Sequence, residues 1–241
     1  MEESGAPWRT VDLKASTPIG LGIVEDVVPL HEIVYQRLTR ALMAGQIAPG
    51  QKLTSRKLAQ ELGTSDMPVR AALLRLQSLK ALAPLPNGSL TLPTMTRERF
   101  AGLADTRVLV EGAATERAAH NMSPADLKLL KKSAAALTKA ARSQSIDDYL
   151  ARNYDFKFQI YRASQSESLV FIIEMLWLQV GPSLRQFAKH FDGDLSRILE
   201  IDYHEDAVAA IERRDAKAAG RAIRRDIAEG ARFLVENGDF S

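Results

Sequence analysis

Lys157, His204 and Asp226 are the side chains of this sequence that could supply acid–base groups to a buried site. Two of them sit oddly for a plain helical core. Asp226 lies on the stripe Ala219, Ala222, Ile223, Gly230 and Phe233, which otherwise faces inward, and His204 shares a helical face with Val208 and Ile211. Buried charge is costly unless it is paired. No nucleophile-bearing motif, metal-ligand set or phosphate loop accompanies the three, so no catalytic residue is assigned and an enzyme in this region is the weakest reading. The 241 residues contain no cysteine, which excludes a disulfide framework, thiolate zinc sites and cysteine nucleophiles.

A second chemistry lies in the arginines and lysines. The formal net charge of +2 is uninformative until it is divided along the chain. Residues 1–30 carry net −3 and residues 101–241 net −1, whereas residues 31–100 hold ten basic and four acidic side chains, net +6. The ten are Arg37, Arg40, Lys52, Arg56, Lys57, Arg70, Arg75, Lys80, Arg97 and Arg99. A small basic block on a near-neutral chain is the electrostatic footprint of a nucleic-acid-binding domain. With 46% hydrophobic and 26% charged residues, the chain is too apolar to be disordered and reads as a soluble globular protein. No apolar run approaches a membrane span and no export signal opens the sequence, so a cytoplasmic protein without a membrane partner is expected.

The elements that must position these groups are mostly helical. Residues 1–25 lack any period and read as an arm. Leu30, Ile33, Val34, Leu38, Leu42 and Met43 form one helical stripe, stopped by Gly45 and the Ala48-Pro49-Gly50 turn. Ser55 is placed to cap a second short helix with Leu58, Ala59 and Leu62 apolar, ending at Gly63. Ser65 is placed to cap a third, Met67 to about Leu79, with Val69, Leu73 and Leu76 inward and Pro68 in the first turn. Two short extended runs around Asn87-Gly88 predict a β-hairpin. Helix, helix, turn, helix, hairpin is the order of a winged helix-turn-helix. Beyond it, apolar stripes predict six helices over about 97–120, 124–143, 146–164, 167–190, 194–213 and 215–235, the fourth kinked at Gly181-Pro182. The fold class is therefore mainly α: a winged helix-turn-helix over 26–95 and an all-helical antiparallel bundle over 96–241.

Residues Leu30 to Leu92 resemble the DNA-binding domain of the GntR superfamily of bacterial transcriptional regulators. The resemblance is carried by Ala44 to Leu53 (Ala-Gly-Gln-Ile-Ala-Pro-Gly-Gln-Lys-Leu), Ser55-Arg56-Lys57-Leu58-Ala59, Leu62-Gly63-Thr64-Ser65, and Pro68-Val69-Arg70-Ala71-Ala72-Leu73 with Leu76. It implies that the third helix enters the major groove of double-stranded DNA with its N-terminal turn leading. Arg70, near that turn, and Arg56, at the start of the preceding helix, match base-reading arginines, suited to guanine O6 and N7. Ser55, Thr64 and Ser65 can offer hydroxyls to phosphate, and Asn87-Gly88 would form the wing tip. Asp66 departs from the arginine common in the family, so no DNA contact is carried onto it. Lys80-Ala81 replaces a common glycine-containing turn.

The bundle resembles the six-helix variety of the FadR-type C-terminal domain. Its matching words are Arg107-Val108-Leu109-Val110-Glu111, Asn153-Tyr154-Asp155-Phe156-Lys157, Tyr161-Arg162-Ala163-Ser164 with Leu169, and His204 to Ile211 with Asp215-Ala216 and Ala219. Many such domains hold a metal with an Asp and a His four apart on one helix and two further His. The corresponding positions here are Asn153, Lys157, His204 and Asp226. An ammonium cannot ligate a cation and Asn is a poor replacement for a carboxylate, so no metal and no cofactor is expected. Lys157 and Asp226 are expected to form an ion pair where the metal would sit, with Asn153 and His204 hydrogen-bonded around it. The resemblance further implies a cavity for a small, often carboxylated effector, which Arg107 and Arg185 are placed to meet in forked geometry. It also implies a homodimer on an inverted-repeat operator, more often a repressor. The alternative is a bundle that serves only dimerisation.

Overall fold

A computed structural model of the protein describes residues 29–191 and 194–240. The expected arm, residues 1–25, lies outside the described residues. The N-terminal unit starts with α1 (Leu30–Met43), α2 (Ser55–Leu62) and α3 (Asp66–Ser78). Val34, Leu38 and Leu42 pack with Val69, Leu73 and Leu76 to make its core. The first turn of α1 departs from the expected stripe: Leu30 and Ile33 stand exposed, because core contact begins only at Val34. Thr54, rather than Ser55, caps α2 by accepting from Lys57 N at 3.4 Å. Ser55 is already the first helical residue, so its hydroxyl is spared that role. Gly63 closes α2 with φ of 64°, a left-handed conformation that disfavours a side chain. Ser65 occupies the N-cap of α3, but its hydroxyl makes no cap bond; Asp66 in the first turn meets the helix dipole instead.

The wing is small. Strands β1 (Ala83–Pro84) and β2 (Leu90–Thr91) pair antiparallel, Ala83 with Thr91 and Pro84 with Leu90. Leu53 bridges to Leu90 through paired backbone bonds of 2.7 and 2.9 Å, which ties the wing to the segment before α2. Lys80 has φ of 58°, a region that costs a non-glycine residue about 1–2 kcal/mol, at the turn where the family commonly has glycine.

The second unit contains α4 (Arg97–Asn121), α5 (Pro124–Arg142), α6 (Ile146–Ala163), α7 (Glu167–Leu184), α8 (His204–Glu212) and α9 (Ala216–Asn237). Side chains of Thr96, Ser123, Ser145 and Asp215 each accept a backbone N–H in the first turn of the helix that follows. α4 and α9 pack along their lengths, α5 lies on α6, and α7 crosses α4. The segment Glu167–Lys189 is long and apolar enough, at mean hydropathy 1.2, to cross a membrane by length and composition alone, contrary to the expectation from sequence. Its Ile173, Leu176, Trp177, Leu178 and Val180 instead fill the bundle core.

Two expected helices are broken. α7 stops at Leu184, just after Pro182, and passes into a 3-10 segment, Arg185–Lys189. The expected helix over 194–213 is a 3-10 segment, Leu195–Glu200, followed by α8. The reason is chemical: Tyr203 N donates to Asp226 Oδ1 at 3.1 Å and His204 N to Asp202 Oδ1 at 2.9 Å. Backbone donors that would continue a helix serve buried carboxylates instead.

The two units touch where α1 ends on α7. A Cβ built on Gly181 would lie 2.8 Å from Leu42 O and from the Cα and O of Met43, so only glycine permits this approach. Arg40 reinforces the seam by donating to Asp155 at 2.8 and 3.1 Å while lying over the Tyr154 ring.

Candidate DNA-reading face and buried charge cavity

The outer surface of α2 and the start of α3 form an open concavity lined by Ser55, Arg56, Ala59, Gln60, Thr64 and Asp66. Arg56 is exposed, and Thr64 Oγ1 is buried with no hydrogen-bond partner among the described residues. Arg70 projects from α3 one turn after Asp66. Their closest N–O separation is 3.9 Å, beyond hydrogen-bond range, so the exposed pair restrains Arg70 little. Ser65 is exposed on the same turn. At the wing tip Gly88 takes φ of 78°, while Asn87 Oδ1 accepts from Ser89 N at 3.1 Å and Ser89 Oγ at 2.6 Å. Asn87 is thus engaged in shaping its own turn.

The basic block is smaller in space than in sequence. Arg75 donates to Glu32 at 2.7 Å and lies over Tyr35, and Arg40 is held at the seam. Arg97 donates to the Val235 carbonyl, and Arg99 to Thr94 O and Gln179 Oε1 at 3.2 and 3.0 Å. Four of the ten cations are therefore structural ties, which linear charge counting cannot distinguish from free ones.

Inside the bundle, Lys157 from α6 is only 2% exposed and its ammonium donates to Asp226 Oδ2 on α9. The expected ion pair is present. It borders a cavity of about 50 Å3 lined by Arg107, Tyr149, Asn153, Asp202 and the pair itself, among apolar side chains including Leu184 and Phe187. Arg107 is buried and grips Glu111 through Nε at 2.5 Å and Nη2 at 3.3 Å, with its guanidinium 4.8 Å from the Trp177 ring centre. Glu111 also accepts from Trp177 Nε1 at 3.0 Å and from the Tyr161 hydroxyl. This fully buried carboxylate has four donors, which is what its burial requires.

Two expected effector residues are placed elsewhere. His204 does not reach the Lys157–Asp226 pair: its Nδ1 bonds Asp202 Oδ1 at 2.6 Å and its Nε2 meets Thr138 Oγ1 at 2.8 Å. Asp202 stands between the imidazole and the cavity, so His204 lies behind the lining. Arg185 follows the Pro182 break and donates to Asp147 at 2.5 Å and to the Gly45 carbonyl at 3.1 Å, outside the cavity. Asn153 does line it. Glu111, Asp202, Tyr149, Tyr161 and Trp177 were missed from the sequence. Only Glu111 carried a local signal, its four-residue spacing from Arg107.

Burial pushes the Asp202 carboxyl upward, but the His204 hydrogen bond and charge, aided by Lys157, outweigh it and hold the group at about 2. Burial opposes the charged imidazole of His204, and Asp202 overcomes that to hold its pKa above the ordinary value. Burial, reinforced by Asp202, raises the Asp226 carboxyl against the attraction of Lys157. Burial and the neighbouring carboxylates push the Tyr149 and Tyr161 hydroxyls well up, so both remain donors. Two cations, Arg107 and Lys157, and two carboxylates, Asp202 and Asp226, thus line the cavity in balance. The four positions at which related domains hold a metal do not fit one here. Lys157 offers an ammonium already committed to Asp226, and His204 is turned to Asp202 and Thr138.

A winged helix-turn-helix joined to a helical bundle with a polar cavity defines a class of protein: a DNA-binding transcriptional regulator. The model of bacterial regulatory proteins of the gntR family matches residues 30–90, and the FCD domain model matches residues 103–229. The chain belongs to the GntR family and carries an FCD domain. It is similar to the HTH-type transcriptional regulator McbR of Escherichia coli, 33% identical over 147 residues, 61% of this chain and just under two thirds (66%) of that one. The solved structure of E. coli McbR/YncC matches with a TM-score of 0.80 at 27% identity, over 87% of this chain and 99% of that one. The gluconate operon transcriptional repressor of Bacillus subtilis is 26% identical over 190 residues, 76% of this chain and 75% of that one. The matching families and relatives are transcriptional regulators, not enzymes.

Proposed function

We propose that the protein is a cytoplasmic homodimeric repressor whose paired heads read an inverted-repeat operator and whose bundle binds a small carboxylated metabolite. The observation that carries the DNA-reading part is the outward face of α2 and α3. It leaves Arg56, Ser55, Ser65 and Arg70 toward solvent or open concavity while Arg40 and Arg75 are spent internally; the Thr64 hydroxyl, expected to meet phosphate, is buried beneath that face. Arg70 and Arg56 read base edges, and the Ser55 and Ser65 hydroxyls and the Gly88 wing tip meet the backbone. In the bundle, an entering carboxylate takes the Lys157 ammonium from Asp226, with Arg107 as its second cation. Leu184 and Phe187 line the cavity just beyond Gly181, the residue in contact with α1. Filling the cavity therefore acts on the segment that seats the head, and two-state displacement of that segment is the coupling.

A second reading has its own support: the cavity holds only about 50 Å3, below the 300–1,000 Å3 typical of ligand pockets, and its charges are already paired. On that reading the bundle only assembles the dimer. A panel of carboxylic metabolites in a thermal-shift assay decides between them, since no shift with any acid supports the assembly reading. For the DNA face, operator affinity should fall steeply with salt. Arg70→Ala should cost about ten- to hundredfold in specific binding while leaving thermal stability unchanged. Equal affinity of the variant would remove Arg70 from the reading face.

A further inference from the structure

The outward face of α3 is unexpectedly apolar. Val69, Ala72, Leu73 and Leu76 turn into the head's core, which leaves Met67, Arg70, Ala71 and Leu74 facing outward at the spacing of one helical stripe. Met67 is 75% exposed, the most exposed large hydrophobic side chain among the described residues, and Leu74 is 63% exposed. Water is a poor solvent for such side chains, and an apolar stripe beside an exposed arginine marks a surface that meets apolar groups. The stripe contains a single base-reading donor, Arg70. Asp66, at its start, brings a negative charge that suits neither phosphate nor guanine.

We infer that Met67 determines operator specificity by packing against the C5-methyl of a thymine next to the guanine read by Arg70. The inference rests on the placement of α3 in the major groove proposed above. The thymine methyl is the one apolar group that a base edge offers in that groove, and only its T-bearing pairs display it. Met67 sits in the first turn, the part of a recognition helix that leads into the groove, three residues before Arg70 on the same face. Its flexible thioether side chain can follow the methyl without a fixed hydrogen-bond geometry. Ala71 and Leu74 continue the apolar surface away from the leading end.

The test uses the full-length protein to select binding sites from random duplexes. It then replaces each selected thymine by deoxyuridine, which removes only the methyl. The wild-type protein should select a thymine within one or two base steps of a guanine in each half-site, and lose about fourfold in affinity per methyl removed. Met67→Ala should bind the thymine and deoxyuridine duplexes equally, while Met67→Leu keeps the preference. Because Met67 is a surface residue, both variants should melt with the wild type. Equal wild-type affinity for thymine and deoxyuridine at every position, or an unchanged preference in Met67→Ala, overturns the assignment and leaves Arg70 untouched. Failure to select any sequence overturns the DNA-reading proposal and this one with it.

Discussion

Replacing Lys157 with methionine keeps the volume of the side chain and strands a carboxylate. Among the described residues Asp226 then retains only the Tyr203 N–H on Oδ1, because its Oδ2 partner is the Lys157 ammonium. Removing one member of a buried pair costs about 3–5 kcal/mol. Asp226 is 15% exposed at its side chain, which places the cost near the lower end, about 3 kcal/mol. For a chain of 241 residues each kcal/mol is worth roughly 2–4 °C, so the melting temperature should fall by about 6–12 °C. The deficit should depend on pH with a definite sign. Burial and Asp202 already raise Asp226, and losing Lys157 raises it further. A carboxyl whose folded pKa lies above its unfolded value stabilises fully below the unfolded value and loses that contribution as pH rises through the folded one. Lys157→Met should therefore be weakest at neutral pH and approach wild type on acidification. The double variant Lys157→Met/Asp226→Asn removes the charge, keeps an acceptor for Tyr203, and should recover most of the loss. Urea denaturation at pH 4, 5.5 and 7 reads all three. A deficit below about 1 kcal/mol, or one independent of pH, or no rescue by the double variant, would refute the buried pair.

Gly181→Ala should lower stability by about 1–3 kcal/mol, since its Cβ meets the α1 backbone at 2.8 Å and neither helix can yield easily. Amide exchange over residues 40–47 should accelerate in that variant, and unchanged exchange there would mean the seam is not a packed contact. Asp202, held at about 2 by His204 and Lys157, contributes on the order of 2 kcal/mol above pH 4, lost progressively as pH falls toward 2. Asp202→Asn should remove that acid limb from a stability–pH profile, and persistence of the limb would assign it to other carboxylates.

The DNA head was legible because its signals are local. Gly63, the Asn87-Gly88 turn and the apolar spacing of α1 and α3 each act within a few residues, so their order alone points to the winged fold, even though the capping hydroxyls expected of Ser55 and Ser65 are not used as caps. The Lys157–Asp226 pair was legible for a different reason: a charge on an otherwise apolar stripe must find a partner. What could not be read was which partner each remaining group would take. His204 faces Asp202 rather than the cavity because α8 starts at His204, where the N–H groups of Tyr203 and His204 go to carboxylates from two different segments. Arg185 turns to Asp147 and Gly45 because Pro182 ends α7 just before it.

From the sequence alone came the fold class, the division into a basic head and a near-neutral helical body, the arginines of α2 and α3, and the replacement of a metal position by an ammonium. Tertiary structure alone decided which cations remain free. Arg40, Arg75, Arg97 and Arg99 count toward the +6 block, yet they are drawn into contacts with residues as distant in sequence as Asp155 and Val235. Helical periodicity specifies the face on which a side chain stands. The group that meets it there is set by how the helices pack, and that depends on the whole chain at once.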